Sequence, residues 1–375
     1  MNDELVNRLV RLLDEIPSSI EFLPGDGLDW LEAQSDRSNE PFLLIEGHLG
    51  IPEKILYQCY AACTNAFQTM ISTDPEMPAR SVRKPGEMHT LTSIIVLANP
   101  GHTSALNLRK VLVETGAVDS RRELLFTAAL LSIKQSAKVS MLWHHRRWIY
   151  SRRYSRSSFN EDFGTVPLSV GDIRVEFELA QSASETYPRN YHAWYHRFLC
   201  LQSCASQARQ SGAHAALLEE ERVSVWSWLR MHVSDHSAVN YLTRLYEISE
   251  ALNTADIMIP LRDDEKTQIL DLLRSYPSHE SLWLHLRYVM SSNHRLQGAG
   301  NGLDLDLSMT EAIAEILQTC LGEKCSDING EKTIRLVMRH RLWMEKRSQL
   351  GKTDPALLNC IVAGPFEKVM HTFGL

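Results

Sequence analysis

Apolar and polar positions follow the 3.6-residue period of helices over much of this chain. Leu5, Leu9, Leu12, Leu13 and Ile16 mark an amphipathic helix that ends before Pro17. Leu124, Leu125, Ala128 and Leu131 recur at the same spacing. Ile269, Leu270, Leu273 and Tyr276 do so after the acidic start Asp263-Asp264-Glu265, which suits a helix N-terminus. Between such helices one phrase returns. It is clearest at Tyr187-Pro188-Arg189-Asn190-Tyr191-His192-Ala193-Trp194-Tyr195-His196-Arg197 and at Tyr276-Pro277-Ser278-His279-Glu280-Ser281-Leu282-Trp283-Leu284-His285-Leu286. Each has Tyr-Pro, a Trp seven residues after the Tyr, and a His two residues further on.

With the Trp position as reference, five copies align. Copy one runs from Asn99 to Arg109, with Leu106 in the Trp place and Arg109 three residues on. Copy two carries Trp143, His145 and Arg146, and copy three Trp194, His196 and Arg197. Copy four is weaker, with Val239 for Trp and Leu242 for Arg; copy five keeps Trp283 and His285 but has Leu286 in the Arg place. A degenerate sixth copy falls at Arg339-His340-Arg341-Leu342-Trp343. A phrase recurring among amphipathic helices predicts an all-α fold of helix–turn–helix repeats, stacked as a right-handed α-α superhelix with a concave face.

Local chemistry supports that punctuation. Pro188 and Pro277 end the first helix of their repeats, because proline lacks the amide donor and restricts the residue before it. Asn190 and Asp235 stand where their side chains can cap the second helix, and His279 is a poorer cap. Trp at i and Arg at i+3 share a face. The Trp is expected to pack on the preceding helix, and the Arg to reach a carboxylate or an aromatic ring. Polar or Gly-rich insertions are expected at 72–87, 152–171, 293–308 and 322–330. The division expected is an N-terminal helical cap with an irregular segment (1–88), the repeats (89–350) and a C-terminal helix or tail (351–375).

Composition narrows the function. A chain of 375 residues can bury a large core, and a formal charge of -7 argues against nucleic acid as a partner. The seven cysteines form no CxxC pair. Cys59/Cys63 and Cys200/Cys204, each four apart, read as reduced core thiols, since metal binding would need further ligands. Asp3, Glu4 and Arg8 interrupt the first apolar residues, so no secretory signal is expected. No apolar run reaches the ~20 residues needed to cross a bilayer. A cytoplasmic protein without its own lipid anchor is expected.

The copies resemble the repeat of the protein prenyltransferase α-subunit family, whose form is Asn-Tyr-x-x-Trp-x-x-Arg with frequent His beside the Arg. Asn190 to Arg197 fits it closely, and Trp143-His144-His145-Arg146-Arg147 fits its second half. The resemblance covers about Asn99 to Tyr288. Met231 to Ser237, Ser275 to Trp283 and Glu46 to Gly50 are similar to the branch that serves as α subunit of the type III geranylgeranyltransferase. The resemblance implies an obligate α subunit, inactive alone, paired with the β subunit also used by Rab geranylgeranyltransferase. It implies geranylgeranyl transfer from the prenyl diphosphate to a C-terminal cysteine of a cytosolic protein. An α subunit of farnesyltransferase/type I or of Rab geranylgeranyltransferase, and a non-enzymatic helical scaffold, stand as alternatives.

Prenyl transfer requires a metal for the thiol, cations and donors for the leaving diphosphate, and an apolar tunnel. No zinc ligand set is legible here, and in the family zinc and tunnel belong to the β subunit. The resemblance carries over three positions. Lys138, five residues before Trp143, matches a lysine near the diphosphate, and Tyr191 and His192 match a Tyr-His pair facing the same site. Solvation of Lys138 and packing of Tyr191-His192 are the plain alternatives. Arg109, Trp143, His145, Arg146, Asn190, Trp194, His196, Arg197, Trp283 and His285 are assigned to repeat structure or the partner interface.

Overall fold

The computed structural model describes residues 3–31, 37–73, 84–154, 162–253, 262–296, 311–316, 318 and 328–349. The expected C-terminal segment 351–375 lies outside them, as does most of the insertions at 72–87, 293–308 and 322–330. The chain forms two compact units, 1–217 and 218–375.

The first unit opens with α1 (Asp3–Asp14), whose Val6, Leu9, Val10, Leu12 and Leu13 are buried. The helix ends two residues before Ile16, which takes a left-handed φ of +58°. A small sheet follows, built from β1 (Ser19–Leu23), β2 (Leu43–Ile45) and β3 (His48–Pro52) in the order β1-β3-β2. β1 runs parallel to β3, with Ser19 opposite His48, and β2 runs antiparallel to it, with Leu43 opposite Gly50. Glu46 and Gly47 both have positive φ, +51° and +83°, which gives the β2–β3 turn the backbone of a type I′ hairpin. A Cβ on Gly50 would come within 2.9 Å of Leu23 Cδ1 and 3.0 Å of Leu43 Cβ, so the strands close only over glycine. This sheet is an addition to the expected all-α chain.

A single turn, α2 (Leu28–Leu31), lies between β1 and β2, and helix α3 (Glu53–Thr73) leads from the sheet to the first repeat. Its first helix, α4 (Pro85–Ala98), buries Ile94, Ile95, Val96 and Leu97 in succession. A helix apolar all round must be covered all round. Here α1 and α3 pack on α4 together with α5 (Thr103–Glu114). Copy two is α6 (Ser120–Leu131), a single turn α7 (Lys134–Ala137) and α8 (Ser140–Tyr154). Copy three is α9 (Val170–Thr186) and α10 (Tyr191–Ala208). The second helices α5, α8 and α10 lie side by side, and the first helices α6 and α9 pack on each other. Part of the insertion 152–171 is not a solvated loop: Phe163, Val166 and Leu168 are buried, and Ser203 Oγ on α10 donates to the Val166 carbonyl at 2.5 Å.

The second unit continues in the same units of structure. Helix α11 (Gly212–Met231), within which the division falls, is followed by α12 (His236–Asn253). Next come α13 (Arg262–Ser275) and α14 (Glu280–Leu296), and then α15 (Ile328–Gln349). Helix α14 packs on α12, α13 and α15. The fold is therefore the all-α helical-hairpin repeat expected. The breaks lie where the sequence put them: α9 ends one residue before Tyr187-Pro188 and α13 one residue before Tyr276-Pro277. Leu125 and Tyr276, read as part of buried stripes, are exposed. The buried face of α6 runs instead through Glu123, Leu124, Thr127 and Leu131.

Candidate functional site

The residues of the repeated phrase divide into a buried set and an exposed set. The buried set builds a clasp on a glutamate. Arg109 of copy one donates Nε to Glu123 Oε1 at 2.8 Å and Nη2 to Oε2 at 2.5 Å, a bidentate pair. Its Nη1 also reaches Ser93 Oγ at 2.9 Å, and its guanidinium lies over the Phe126 ring at 4.3 Å. His145 of copy two contacts the same Glu123 through Nε2 at 2.8 Å. The pattern repeats one hairpin later. Arg146 grips Glu176 with Nε and Nη2, and donates Nη1 to Thr127 Oγ1 at 2.7 Å. His196 Nε2 lies 2.7 Å from Glu176 Oε2, and Tyr150 donates its hydroxyl to Oε1 at 2.8 Å. Each glutamate thus joins the Arg of one copy to the His of the next. All these residues are buried.

The charges follow from these contacts. Burial works against the Glu123 and Glu176 carboxylates, but Arg109 with His145, and Arg146 with His196, hold both carboxyls well below the usual range. Burial lowers His196, outweighing its bond to Glu176, so the ring is neutral. A neutral ring that donates from Nε2 leaves Nδ1 as an acceptor, and that atom is buried without a partner.

Trp143 and Trp283 each donate the indole N–H to a carbonyl six residues back, Ala137 at 2.9 Å and Pro277 at 2.7 Å. Their rings meet the His of the next copy, Trp143 with His196 at 5.0 Å and Trp283 with His340 at 5.5 Å between centroids. Trp194 is buried and lies against Arg197, whose guanidinium also covers the Phe177 ring. The Arg of the phrase thus meets a carboxylate in copies one and two and an aromatic ring in copies one and three. Asn190 and Asp235 cap their helices, Asn190 Oδ1 accepting from the Ala193 amide at 3.2 Å and Asp235 Oδ1 from Ser237 at 3.0 Å. His279 instead meets Ser234 Oγ at 2.9 Å.

The clasp thins in the second unit. Glu221 accepts the Tyr241 hydroxyl, with Tyr241 in the His place of copy four. Glu265 lies 3.0 Å from His285 Nε2. Leu242 and Leu286 fill the Arg places, both fully buried. The Trp lost to Val239 is met by Trp226 of α11, fully buried, whose ring stands edge-on 5.5 Å from His285. In copy six the contact with Trp283 fixes His340 as the repeat His, so Met338 takes the Trp place and Trp343 lies outside it. Burial, aided by Arg287, pushes His340 down to about 3, and both its ring nitrogens are buried without a hydrogen-bond partner among the described residues.

Glu123, Glu176 and Glu221 carry no obvious mark in the sequence, and Glu265 reads there only as part of an acidic helix start. A signal exists: Glu176 and Glu265 stand twenty residues before His196 and His285, and Glu221 twenty before Tyr241. Glu123 stands twenty-two before His145, across the extra turn α7.

The exposed set contains the candidates for chemistry. Lys138 is exposed at the C-cap of α7, with Nζ 5.2 Å from the centre of the Tyr187 ring. Tyr191 is 63% exposed in the first turn of α10, its ring parallel to Tyr195 at 6.0 Å and edge-on to His192 at 5.5 Å. Burial and Arg147 lower the pKa of His192. Asn190 Nδ2 donates to the Ala137 carbonyl at 2.8 Å. That bond joins the residue before Tyr191 to the residue before Lys138, so the three candidates stand at one end of α8 and α10. Among the described residues no group of His, Cys, Asp and Glu could hold a metal, and no helix is long and apolar enough to cross a membrane. Cys59, Cys63, Cys200 and Cys204 are free and buried, and burial pushes Cys59 up to about 11 and Cys63 up to about 12.

Hairpins of this construction define a class, and the chain matches the family Protein prenyltransferase alpha subunit repeat at residues 173–204 and 262–293. Those stretches are copy three and copy five, so these two copies are similar to prenyltransferase α-subunit repeats. It is similar to Protein prenyltransferase alpha subunit repeat-containing protein 1 of Danio rerio, 30% identical over 251 residues, which is 56% of this chain and 57% of that protein. The Homo sapiens protein of the same name is 29% identical over 58% of this chain and 61% of its own length. The Xenopus laevis protein 1-B is 27% identical over 56% of each. The chain therefore spans between 56% and 61% of the length of these relatives.

Proposed function

We propose that this chain is the α subunit of a heterodimeric protein prenyltransferase of the type III geranylgeranyltransferase kind, inactive without a β subunit of the Rab geranylgeranyltransferase type. The observation that carries the reading is the Ala137–Asn190 bond, which holds a lysine, a tyrosine and a histidine at one end of two repeats that otherwise serve packing. These three groups suit a leaving diphosphate. The Lys138 ammonium neutralises charge building on the phosphate oxygens, and the Tyr191 hydroxyl and the neutral His192 ring each donate one hydrogen bond. The bond formed is between the substrate cysteine sulfur and C1 of the isoprenoid, and the bond broken is C1–O to the diphosphate. Zinc, which activates the thiol, and the lipid tunnel belong to the β subunit.

Co-expression with the Rab-type β subunit, size exclusion and a geranylgeranyl transfer assay on a Cys-tailed protein test the reading. A stable heterodimer that alone is active is expected. Lys138→Ala is expected to bind β normally and lose transfer rate by about 10- to 100-fold. Unchanged turnover would remove Lys138 from the mechanism. Failure to bind any prenyltransferase β chain would leave a helical scaffold.

A further inference from the structure

Lys138 is fixed at its backbone and again at the end of its side chain. The Ala137 carbonyl accepts Trp143 Nε1 at 2.9 Å and Asn190 Nδ2 at 2.8 Å, so the peptide leading into Lys138 is held by copies two and three at once. The side chain itself is exposed on a flexible four-carbon stem, which alone would scatter the ammonium over many rotamers. Among the described residues it meets a ring and no carboxylate: Nζ stands 5.2 Å from the centre of Tyr187. Tyr187 is in turn held in place. Its amide donates to the Ala183 carbonyl at 3.1 Å at the end of α9, and its ring packs on the buried core of the first unit. Pro188 restricts its backbone. The second unit shows the same slot without the cation. Ser234 stands five residues before Val239, as Lys138 stands five before Trp143, and Tyr276 takes the Tyr place of the next copy. There the tyrosine is exposed and edge-on to His279, and Ser234 Oγ meets His279.

We propose that Tyr187 is a positioning residue for prenyl transfer, holding the Lys138 ammonium where charge builds on the leaving diphosphate. The proposal rests on the reading of Lys138 given above. The face of an aromatic ring attracts an ammonium through its quadrupole and takes up none of its charge. A carboxylate in that place would also hold the ammonium, but it would neutralise the charge and compete with the phosphate oxygens. The ring leaves the cation whole and its N–H donors available. An ammonium placed before the reaction has no ordering left to lose in the transition state. Tyr187 touches neither the diphosphate nor the substrate cysteine in this role, and acts through Lys138.

The test measures kcat and KM for geranylgeranyl transfer by the full chain in its heterodimer with the Rab-type prenyltransferase β subunit. Tyr187→Leu keeps an apolar side chain and removes the ring face. It is expected to lower kcat roughly two- to fivefold, with β affinity and the KM for the protein substrate unchanged. Tyr187→Phe, which keeps the ring face, is expected to restore the rate. In the Lys138→Ala background, Tyr187→Leu is expected to change nothing further, because the cation it orients is gone. That arm decides even where Tyr187→Leu loosens the fold, since damage to packing would add to the loss from Lys138→Ala. With Lys138→Ala slow, a wild-type kcat in Tyr187→Leu, a Tyr187→Phe rate no better than Tyr187→Leu, or additive losses in the double variant would each overturn the proposal alone. Unchanged turnover in Lys138→Ala, or wild type failing to bind β, overturns the reading above and this proposal with it.

Discussion

Copies two and three hold their hairpins together with charge, and copies four and five do much of the same work with aliphatic side chains. Glu176 receives Arg146, His196 and Tyr150, all buried. Two hairpins later, Leu242 fills the Arg place beside a hairpin whose Glu265 still meets His285. Both solutions bury the slot completely. The physics permits this because a buried ion pair repays its desolvation only when every partner is present, whereas an aliphatic side chain has no such condition. A clasp of three partners is accordingly less tolerant of single changes than the leucine that replaces its arginine.

The largest effect is expected from exchanging those solutions. Arg146→Leu puts the residue of copy four into copy two and strands the Glu176 carboxylate, a loss of about 3–5 kcal/mol in urea unfolding. Adding Glu176→Leu recovers part of that loss, because the stranded charge is gone. Leu242→Met, which keeps volume and polarity, costs less than about 1.5 kcal/mol. Equal losses in both places would erase the distinction between the regions.

A smaller effect concerns pH. His340 is held at about 3, below the ordinary 6.5, by burial and Arg287. The unfolded chain therefore binds the extra proton first as pH falls below 6.5, and the stability contributed by the neutral ring is lost down toward pH 3. Between pH 7 and pH 5 this amounts to ~2 kcal/mol. His340→Leu should flatten the fall in unfolding free energy over that interval, and an unchanged slope would show that the ring is not neutral and buried. Glu176 has the same sign at lower pH: its depressed carboxyl stabilises above about 4.5 and ceases to do so in stronger acid.

The smallest effect is expected at the cap. Asn190→Ala removes the acceptor for the Ala193 amide and the donor to Ala137, a cost of about 1–2 kcal/mol read from the thermal midpoint. The same change should also loosen the alignment of Lys138 with Tyr191 and lower transfer in the heterodimer at unchanged β affinity.

Helix breaks, caps and the Trp-His-Arg face were legible because each is imposed by neighbours in sequence: a proline, a capping amide, a shared helical face. The glutamates escaped because an acid in a helix ordinarily marks a solvated face, and only the spacing to the next histidine reveals the partnership. The N-terminal sheet escaped for a different reason. β2 has three residues and β3 contains Gly50 and Pro52, so neither shows a readable alternation. At the candidate site, family register alone pointed to Lys138, Tyr191 and His192. Their meeting depends on a bond between residues 53 apart, which no local pattern encodes.

The clasp also governs how such a chain can be lengthened or cut. Its arginine closes one hairpin, while its glutamate and histidine belong to the next, so the loop between hairpins is the wrong place to splice. A cut between α8 and α9 would part Arg146 from Glu176 and leave a bare cation on one fragment and a bare carboxylate on the other. The transplantable module is staggered. It begins at the arginine of one second helix and ends before the arginine of the following one, so an insertion in that frame carries its own arginine, glutamate and histidine together.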